Sequence, residues 1–511
     1  MLPKLPDTKP ELVETGEATA ILPVQGGKPI TVIGTKAIRD GFDASALQQA
    51  INSRMAPGVT ELVLNPDAHA GYGAPVGCVM VAPDHVYPGP VGVDIKCSMS
   101  LLQMDIPEDQ LKEKESRRAV INAILERIPT GPGRGQRHCK KSRKVGTELG
   151  ASIATEGAAE WVLNALGIPT SWAQRCEDAF HAGTRGTPGL MDRLHRHLGA
   201  ATGGPAFDTF TGKQFEDKIE QLGSYGGGNH FGECNIVRMG DGDRARKAGD
   251  VFGLKNGCAA FLSHCGSRGF GFKLANHQFA TLQNHFKKWS IPLPGEDKEL
   301  VYAPIGTPEA DAYIDDMSLG ANFATINHLL INALVLEAFQ EVFPGAKGDL
   351  VYFISHNIAR EEVVSGRKAW VHRKGATRAF PGGHFALKGT IYQDTGHPIL
   401  LPGNPRDGSC VMVADPGAEK SCYSVNHGAG RAMGRKAATR ALNQERVDKD
   451  FETYDILSNC RKYPIDEAPA AYKDFNEVLA SVAKAGLASE VARLQARFVI
   501  KDSDQSNNGA A

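Results

Sequence analysis

A chain of 511 residues in which 57 lysines and arginines nearly balance 58 aspartates and glutamates has a formal net charge of -1. That excludes the overall basicity of a simple electrostatic nucleic-acid binder, so any such contact must be a local patch. Ten cysteines without a CxxC pair or a regular framework point to reduced thiols in a cytosolic protein. With no signal-like N-terminus and no run of about 18 apolar residues, a cytoplasmic chain without a membrane partner is expected.

Residues 18–33 read as two short strands around a Gly-Gly turn, and 45–52 as a short helix. The apolar run 59–64 then delivers PDAHAGYG, with Asp67 and His69 at a strand end; a plain surface turn would look similar. GPVGVDIKCSMS repeats the design. Asp94 and Cys97 are three apart, close enough for one metal ion to take both, and a thiolate can also bridge two ions. A buried cysteine is the bland alternative, against which stands the cost of burying an unpaired carboxylate.

Residues 107–200 change character, with helices expected at 107–127, 151–166 and 188–198. Among them lies a basic loop, GPGRGQRHCKKSRK, whose Arg134, Arg137, Lys140, Lys141, Arg143 and Lys144 suit either phosphates or a solvated face. After a Gly-Pro break near 204, SYGGGNHFGECN sets three glycines beside Asn229, His230 and Glu233. Their N–H groups can approach a phosphate, although the GK[ST] ending of a Walker loop is missing. AAFLSHCGSRGFG puts His264 at a strand end, with Arg268 four residues on as a phosphate clamp. The 57 glycines of the chain cluster beside such His, Asp and Asn residues, where close backbone approach to a ligand would need them.

Residues 309–343 read as one long helix with Tyr313, Met317, Ala321, Ala324, His328 and Ile331 on a core-facing stripe, which makes His328 structural. DLVYFISHN delivers His356 and Asn357. The basic stretch from Arg367 through Lys368, Arg373 and Lys374 to Arg378 is interleaved with aromatics. It suits a nucleic-acid strand in a groove or an exposed hairpin. Two strands around a polar turn are expected over 398–413, followed by SVNHGAGR, in which His427 sits between an apolar run and glycines. A helix is expected at 475–497, then FVIKD and a disordered tail over 503–511.

Asp94, Cys97, His230, His264 and His356 each end an apolar run and together make a ligand set for two ions sharing the thiolate. Thiolate and imidazole favour Zn, whereas the carboxylate and open positions admit Mn or Fe. A histidine can attack phosphorus once metal ions neutralise the phosphate. His427 is the candidate nucleophile, and Arg431 the residue that balances charge in the transition state.

The series PDAHAGYG, GVDIKC, GGGNHF, HCGSRG, SHN, KGATRAF and SVNHGAGR, in that order over most of the chain, resembles the RtcB family of RNA-splicing ligases. The resemblance implies an α/β, mixed α+β fold: one large multilayer assembly of sheets and helices around a deep metal-binding cleft. It would span 1–502, with 107–200 as a mainly helical insertion. It implies two Mn2+ ions and GTP as cofactors, and RNA as substrate, with a 3′-phosphate or 2′,3′-cyclic phosphate end joined to a 5′-hydroxyl. On this likeness Cys97 bridges the ions, Asp94 and His230 complete one, His264 and His356 complete the other, and His427 is the histidine that becomes guanylylated. Asn229, Glu233, Asn357, Ser409, Gly428, Ala429 and Gly430 match positions near GTP, and Lys501 the lysine that reads guanine. Arg268, Lys374 and Arg431 match basic residues near phosphates, and Asp67 an acid linked to catalysis.

Two stretches depart from the family pattern. Lys96 and Ser98 flank the cysteine where glycines are usual, and GNPRDGSC replaces GSMGTASY. The expected chain is a monomer, with room for an archease-like activator. The rival readings are a guanylyltransferase that caps 3′-phosphate RNA or DNA ends without sealing, a metal-dependent phosphoesterase without a covalent step, and a non-catalytic RNA-binding paralogue.

Overall fold

The computed structural model describes residues 9–199, 207 and 209–502; the tail expected over 503–511 and the Gly-Pro break near 204 lie outside them. Two large sheets carry the architecture. The first has seven strands in the spatial order Val13–Gly16, Thr19–Leu22, Ile30–Ile33, Glu61–His69, Val76–Ala82, Arg367–Lys374 and Asn357–Val364. All its pairings are antiparallel except that of Ile30–Ile33 with Glu61–His69.

The second sheet runs Gly348–Ser355, Ser98–Pro107, Cys258–Cys265, Phe231–Met239, Ala488–Lys501, Gly408–Ala414 and Pro398–Asn404, with Leu457–Ser458 beside Ala488–Lys501. Its strands are buried along most of their length, as the continuous apolar runs demand. Between Ser355 and Asn357 the chain passes from the second sheet to the first. A small ladder, Ala376–Arg378 with Ser424–Asn426, lies next to this crossing in sequence.

The helix Pro308–Val342 forms the core of the helical side and packs against Arg268–Lys288, Lys114–Leu125, Thr147–Glu156 and Gly186–His197. Its start follows from local chemistry: the Thr307 hydroxyl accepts from the Ala310 N–H, Pro308 occupies the first turn, and Glu309 and Asp311 favour the helix dipole. From Asp315 to Val335 every residue is buried, so the expected single apolar stripe is too narrow. Among the described residues this is the one helix long and apolar enough to cross a membrane, and it lies inside the protein.

Three expectations are corrected. The segment 151–166 is two helices, Thr147–Glu156 and Glu160–Leu166, parted at Gly157, whose φ of +58° ends the first. The helix expected at 475–497 stops at Lys484, and Ala488–Lys501 is a strand. Ala, Leu, Arg and Gln favour helix locally, but this strand pairs on both sides, with Phe231–Met239 and Gly408–Ala414, and tertiary pairing overrides propensity.

The third correction concerns the basic stretches. Arg373 and Arg378 are buried and share the Glu362 carboxylate, so they brace the hairpin Asn357–Val364/Arg367–Lys374 instead of facing a groove. The loop over 131–144 follows the second of its two readings, a solvated face, on which Arg137 pairs with Asp217 and Glu220, Lys140 and Lys141 with Glu126, and Arg143 with Glu337.

Candidate active site

The strand ends named by the sequence meet where the two sheets adjoin. Asp94 and Cys97 lie in the turn that feeds Ser98–Pro107, His230 immediately precedes Phe231–Met239, and His264 is near the end of Cys258–Cys265. His356 is the residue that links the two sheets. Cys97 Sγ lies 3.4 Å from His230 Nε2 and 3.2 Å from His264 Nε2; His230 Nε2 is 2.9 Å from Asp94 Oδ2, and His264 Nε2 is 3.2 Å from His356 Nε2. The donors thus form two sets, Asp94 with His230 and His264 with His356, that share one sulfur.

Their protonation suits a cation. His264 Nδ1–H donates to the Asn229 carbonyl at 3.1 Å, which leaves the Nε2 lone pair of the neutral ring facing Cys97 and His356. Burial holds the His264 and His356 rings well below the ordinary histidine pKa. Burial, with Asp94 close by, pushes the Cys97 thiol far up. Three imidazoles, a carboxylate and a thiol crowded together are a donor set that a metal ion can take. The Nδ1 atoms of His230 and His356 are buried without a hydrogen-bond partner.

His427 follows Ser424–Asn426, and its Nδ1 lies 2.6 Å from Asp67 Oδ2 and 2.9 Å from the Gly375 carbonyl. Both neighbours only accept, so Nδ1 carries the proton and the lone pair of the neutral ring is on Nε2. Nε2 makes no hydrogen bond among the described residues, and the ring lies 4.7 Å from that of His356, centroid to centroid. Asp67 is fully buried at an irregularity in the pairing of Glu61–His69 with Val76–Ala82. Lys473 brackets it, donating to the carbonyls of Pro66 at 2.9 Å and Ala68 at 2.7 Å.

Glycines here serve the protein's own side chains. Gly430 has φ +72°, and a Cβ on it would overlap Asp67; a Cβ on Gly226 would overlap His230 Nδ1 and Arg268 Nη1. The expectation that such glycines admit a ligand therefore becomes a narrower statement, that they admit Asp67, His230 and Arg268.

Lys96 resolves one departure from the family pattern. It adopts φ +53°, a strain of about 1 kcal/mol for a side-chain-bearing residue. Its fully buried amine donates to the Asp178 carbonyl, His181 Nε2 and Thr325 Oγ1 at 2.7–2.8 Å rather than to the candidate ligands. Burial, and then the Arg360 charge, lower this amine to about 7. Ser98 donates back to the Lys96 carbonyl at 2.6 Å.

The other residues singled out by the sequence occupy the margins. Glu233 accepts from Ser409 Oγ at 3.3 Å, and burial raises its carboxyl to about 7. Lys501 pairs with Glu467 at 3.0 Å, and Glu467 also receives Tyr472, Arg435 and Arg431. Asn357 bridges the Asp94 carbonyl and the Gly375 N–H. Gly428 accepts from Asn426, and the Ala429 N–H donates to Pro402. Lys374 is enclosed by the Tyr72 and Ala74 carbonyls, 3.8 Å above the Tyr72 ring, and burial lowers its amine to about 8. Arg431 donates to the Met433 and Asp466 carbonyls, away from His427. Arg268 donates to Ser224 Oγ and the Gly131 carbonyl beside His230. Sequence reasoning missed Tyr72, Glu467 and Lys473; Tyr72 lies inside PDAHAGYG, and the other two carry no local signal.

Fold and site together define a mixed α/β enzyme with a candidate metal centre beside an oriented histidine. The family model described as tRNA-splicing ligase RtcB matches residues 49–502, and the chain belongs to that family. It is 33% identical over 470 residues to the tRNA-splicing ligase RtcB of Thermococcus kodakarensis, covering 89% of this chain and 90% of the relative. The corresponding protein of Archaeoglobus fulgidus is 34% identical over 476 residues, covering 90% and 92%, and that of Pyrobaculum aerophilum 32% over 472 residues, covering 89% and 90%.

Proposed function

We propose that this chain is a cytoplasmic, monomeric RNA ligase. It joins a 3′-phosphate end, or a 2′,3′-cyclic phosphate first opened by water, to a 5′-hydroxyl, with GTP as the co-substrate. The observation that carries the reading is His427: Nδ1–H is held by Asp67 and the Gly375 carbonyl, and Nε2 is left unbonded beside His356. Nε2 attacks the α-phosphorus of GTP, the N–P bond forms, and pyrophosphate leaves with the electrons of the broken P–O bond. The buried Asp67 carboxylate stabilises the positive charge that the ring then acquires. The GMP group passes to an oxygen of the RNA 3′-phosphate, returning the lone pair to Nε2. The 5′-hydroxyl then displaces GMP and loses its proton, and a phosphodiester remains.

Two manganese ions, one held by Asp94, His230 and Cys97 and the other by Cys97, His264 and His356, would neutralise phosphate charge. Glu233, Ser409 and Lys501 line the guanosine end, with Asn229, Asn357 and Gly428 to Gly430 nearer the phosphates. Of the basic residues, Arg268 is the best placed for phosphate, because it lies beside His230, whereas the Lys374 amine is enclosed by the Tyr72 and Ala74 carbonyls and Arg431 is paired with Glu467. An archease-like activator is compatible with this scheme.

The test is incubation with Mn2+, labelled GTP and RNA strands bearing 3′-phosphate and 5′-hydroxyl ends. His427→Ala abolishes protein labelling while bound metal is retained, and full labelling of that variant sinks the assignment. A persistent guanylylated end means capping without sealing, and phosphate release without GTP means a phosphoesterase.

A further inference from the structure

Arg268 opens the helix Arg268–Lys288, next to the metal ligands, because Gly266 packs on Asp94 and Gly226 on His230. On this helix Gly269, Phe272, Lys273 and Asn276 share one face by their spacing, and that face is turned outward: Phe272 is 48% exposed. Lys218 of the helix Gly212–Ile219 lies across Gly269, its Nζ 3.0 Å from where a Cβ on that glycine would stand.

None of the three cations here is in a direct ion pair among the described residues, although Asp94 and Asp502 lie near Arg268 and Asp217 near Lys218. Arg268 bonds only a hydroxyl and a carbonyl, and Lys273 bonds the Thr209 carbonyl and Gln214 Oε1, both at 3.0 Å. The Lys218 amine makes no hydrogen bond or ion pair among the described residues; the neighbouring Asp217 carboxylate, which offsets part of its charge, is bonded to Arg137 at 2.9 Å. Burial, then repulsion from Lys273 and Arg268, depresses the Lys218 amine. The basic loop over 131–144 contrasts with this, because most of its charges meet carboxylates. Converging cations whose amines are in no ion pair, beside an exposed ring, form the pattern that holds a single strand: lysines on phosphates, an aromatic under a base.

We propose that Lys218, Lys273 and Phe272 form the path of single-stranded RNA leading away from the reacting end, with Arg268 at its inner limit. The path rests on the ligase reading above. It is tested by fluorescence anisotropy of a labelled single-stranded RNA with a 3′-phosphate, without GTP, over a range of salt. The Lys218→Gln/Lys273→Gln variant binds about tenfold more weakly. Its log Kd against log salt slope falls by roughly 1.4, about 0.7 for each phosphate of the single strand that is no longer neutralised. Phe272→Ala weakens binding by about tenfold with the slope unchanged, as removal of a stacking platform requires.

Lys287→Gln/Lys288→Gln, at the far end of the same helix, is the control for general charge. Equal weakening in that control, or wild-type affinity and slope in the Lys218/Lys273 variant, overturns the path. Protein labelling by GTP is followed separately on the same protein preparations. A wild type that takes no label fails the ligase reading, whereas a labelled, ligating wild type with an RNA-indifferent double variant fails only the path.

Discussion

Two buried clusters bring histidines together with an acid or a thiol, and the difference between them lies in unused bonding capacity. Cys97, His230 and His264 crowd lone pairs together, with the Nδ1 atoms of His230 and of neighbouring His356 left over. His197, His277 and Asp316 also stand within metal-ligand distance, yet there the carboxylate is saturated. Asp316 Oδ1 accepts from Arg193 Nε at 2.6 Å and His197 Nε2 at 2.7 Å, and Oδ2 accepts from Arg193 Nη2 at 2.8 Å and from Gln278. Burial would raise this carboxyl, but His197 and Arg193 hold it far below the usual range. Proximity of ligand-type residues therefore does not define a metal site; unsatisfied valence does.

The largest expected effect breaks the first cluster. Cys97→Ala removes the shared sulfur, and bound metal measured by elemental analysis falls to background while the fold is retained. Asp316→Ala breaks the second: it leaves Arg193 buried and unpaired and costs about 3–5 kcal/mol in urea denaturation, with metal per folded molecule unchanged. Loss of metal in that variant would erase the distinction between the clusters.

Glu233→Gln sharpens the comparison by pH. The folded carboxyl titrates at about 7 against 4.5 for the ordinary group, so the unfolded state releases its proton first. Stability falls as pH rises through that window. The variant therefore gains up to about 3 kcal/mol over wild type at pH 8 and nothing at pH 4, read as a difference in urea midpoints.

Lys96→Met gives the smallest effect. It strands acceptors at Asp178 and Thr325 and costs about 1–3 kcal/mol, but metal stays bound, because Lys96 belongs to the saturated kind of cluster although it adjoins a ligand.

Much of the candidate site was legible because its polar residues flank apolar runs, His264 and His356 at the end of them and Cys97 and His230 just before them, a pattern that period and polarity expose before any packing is known. His328 was legible for the opposite reason: it falls inside a helix, and both its ring nitrogens are taken, by Ser100 and the Cys265 carbonyl. The strand Ala488–Lys501 was hidden by helix-favouring residues, and its register is set by partners distant in sequence. The burial of Arg373 and Arg378 was hidden too, because composition does not say which way a strand turns its side chains or that Glu362 waits opposite. Lys473 and Glu467 act through contacts with distant backbone and charge, for which a local stretch holds no signal.

The pairing of His427 with Asp67 spans 360 positions, and the Lys473 amine that braces Asp67 arrives later still. A ribosome must therefore complete nearly the entire chain before the His427 ring is oriented. Fragments released early carry the candidate ligands up to His356 but lack His427 and the strand Ala488–Lys501 that sits inside the second sheet. Premature termination thus leaves Cys97, His230 and His264 without a finished sheet to hold them.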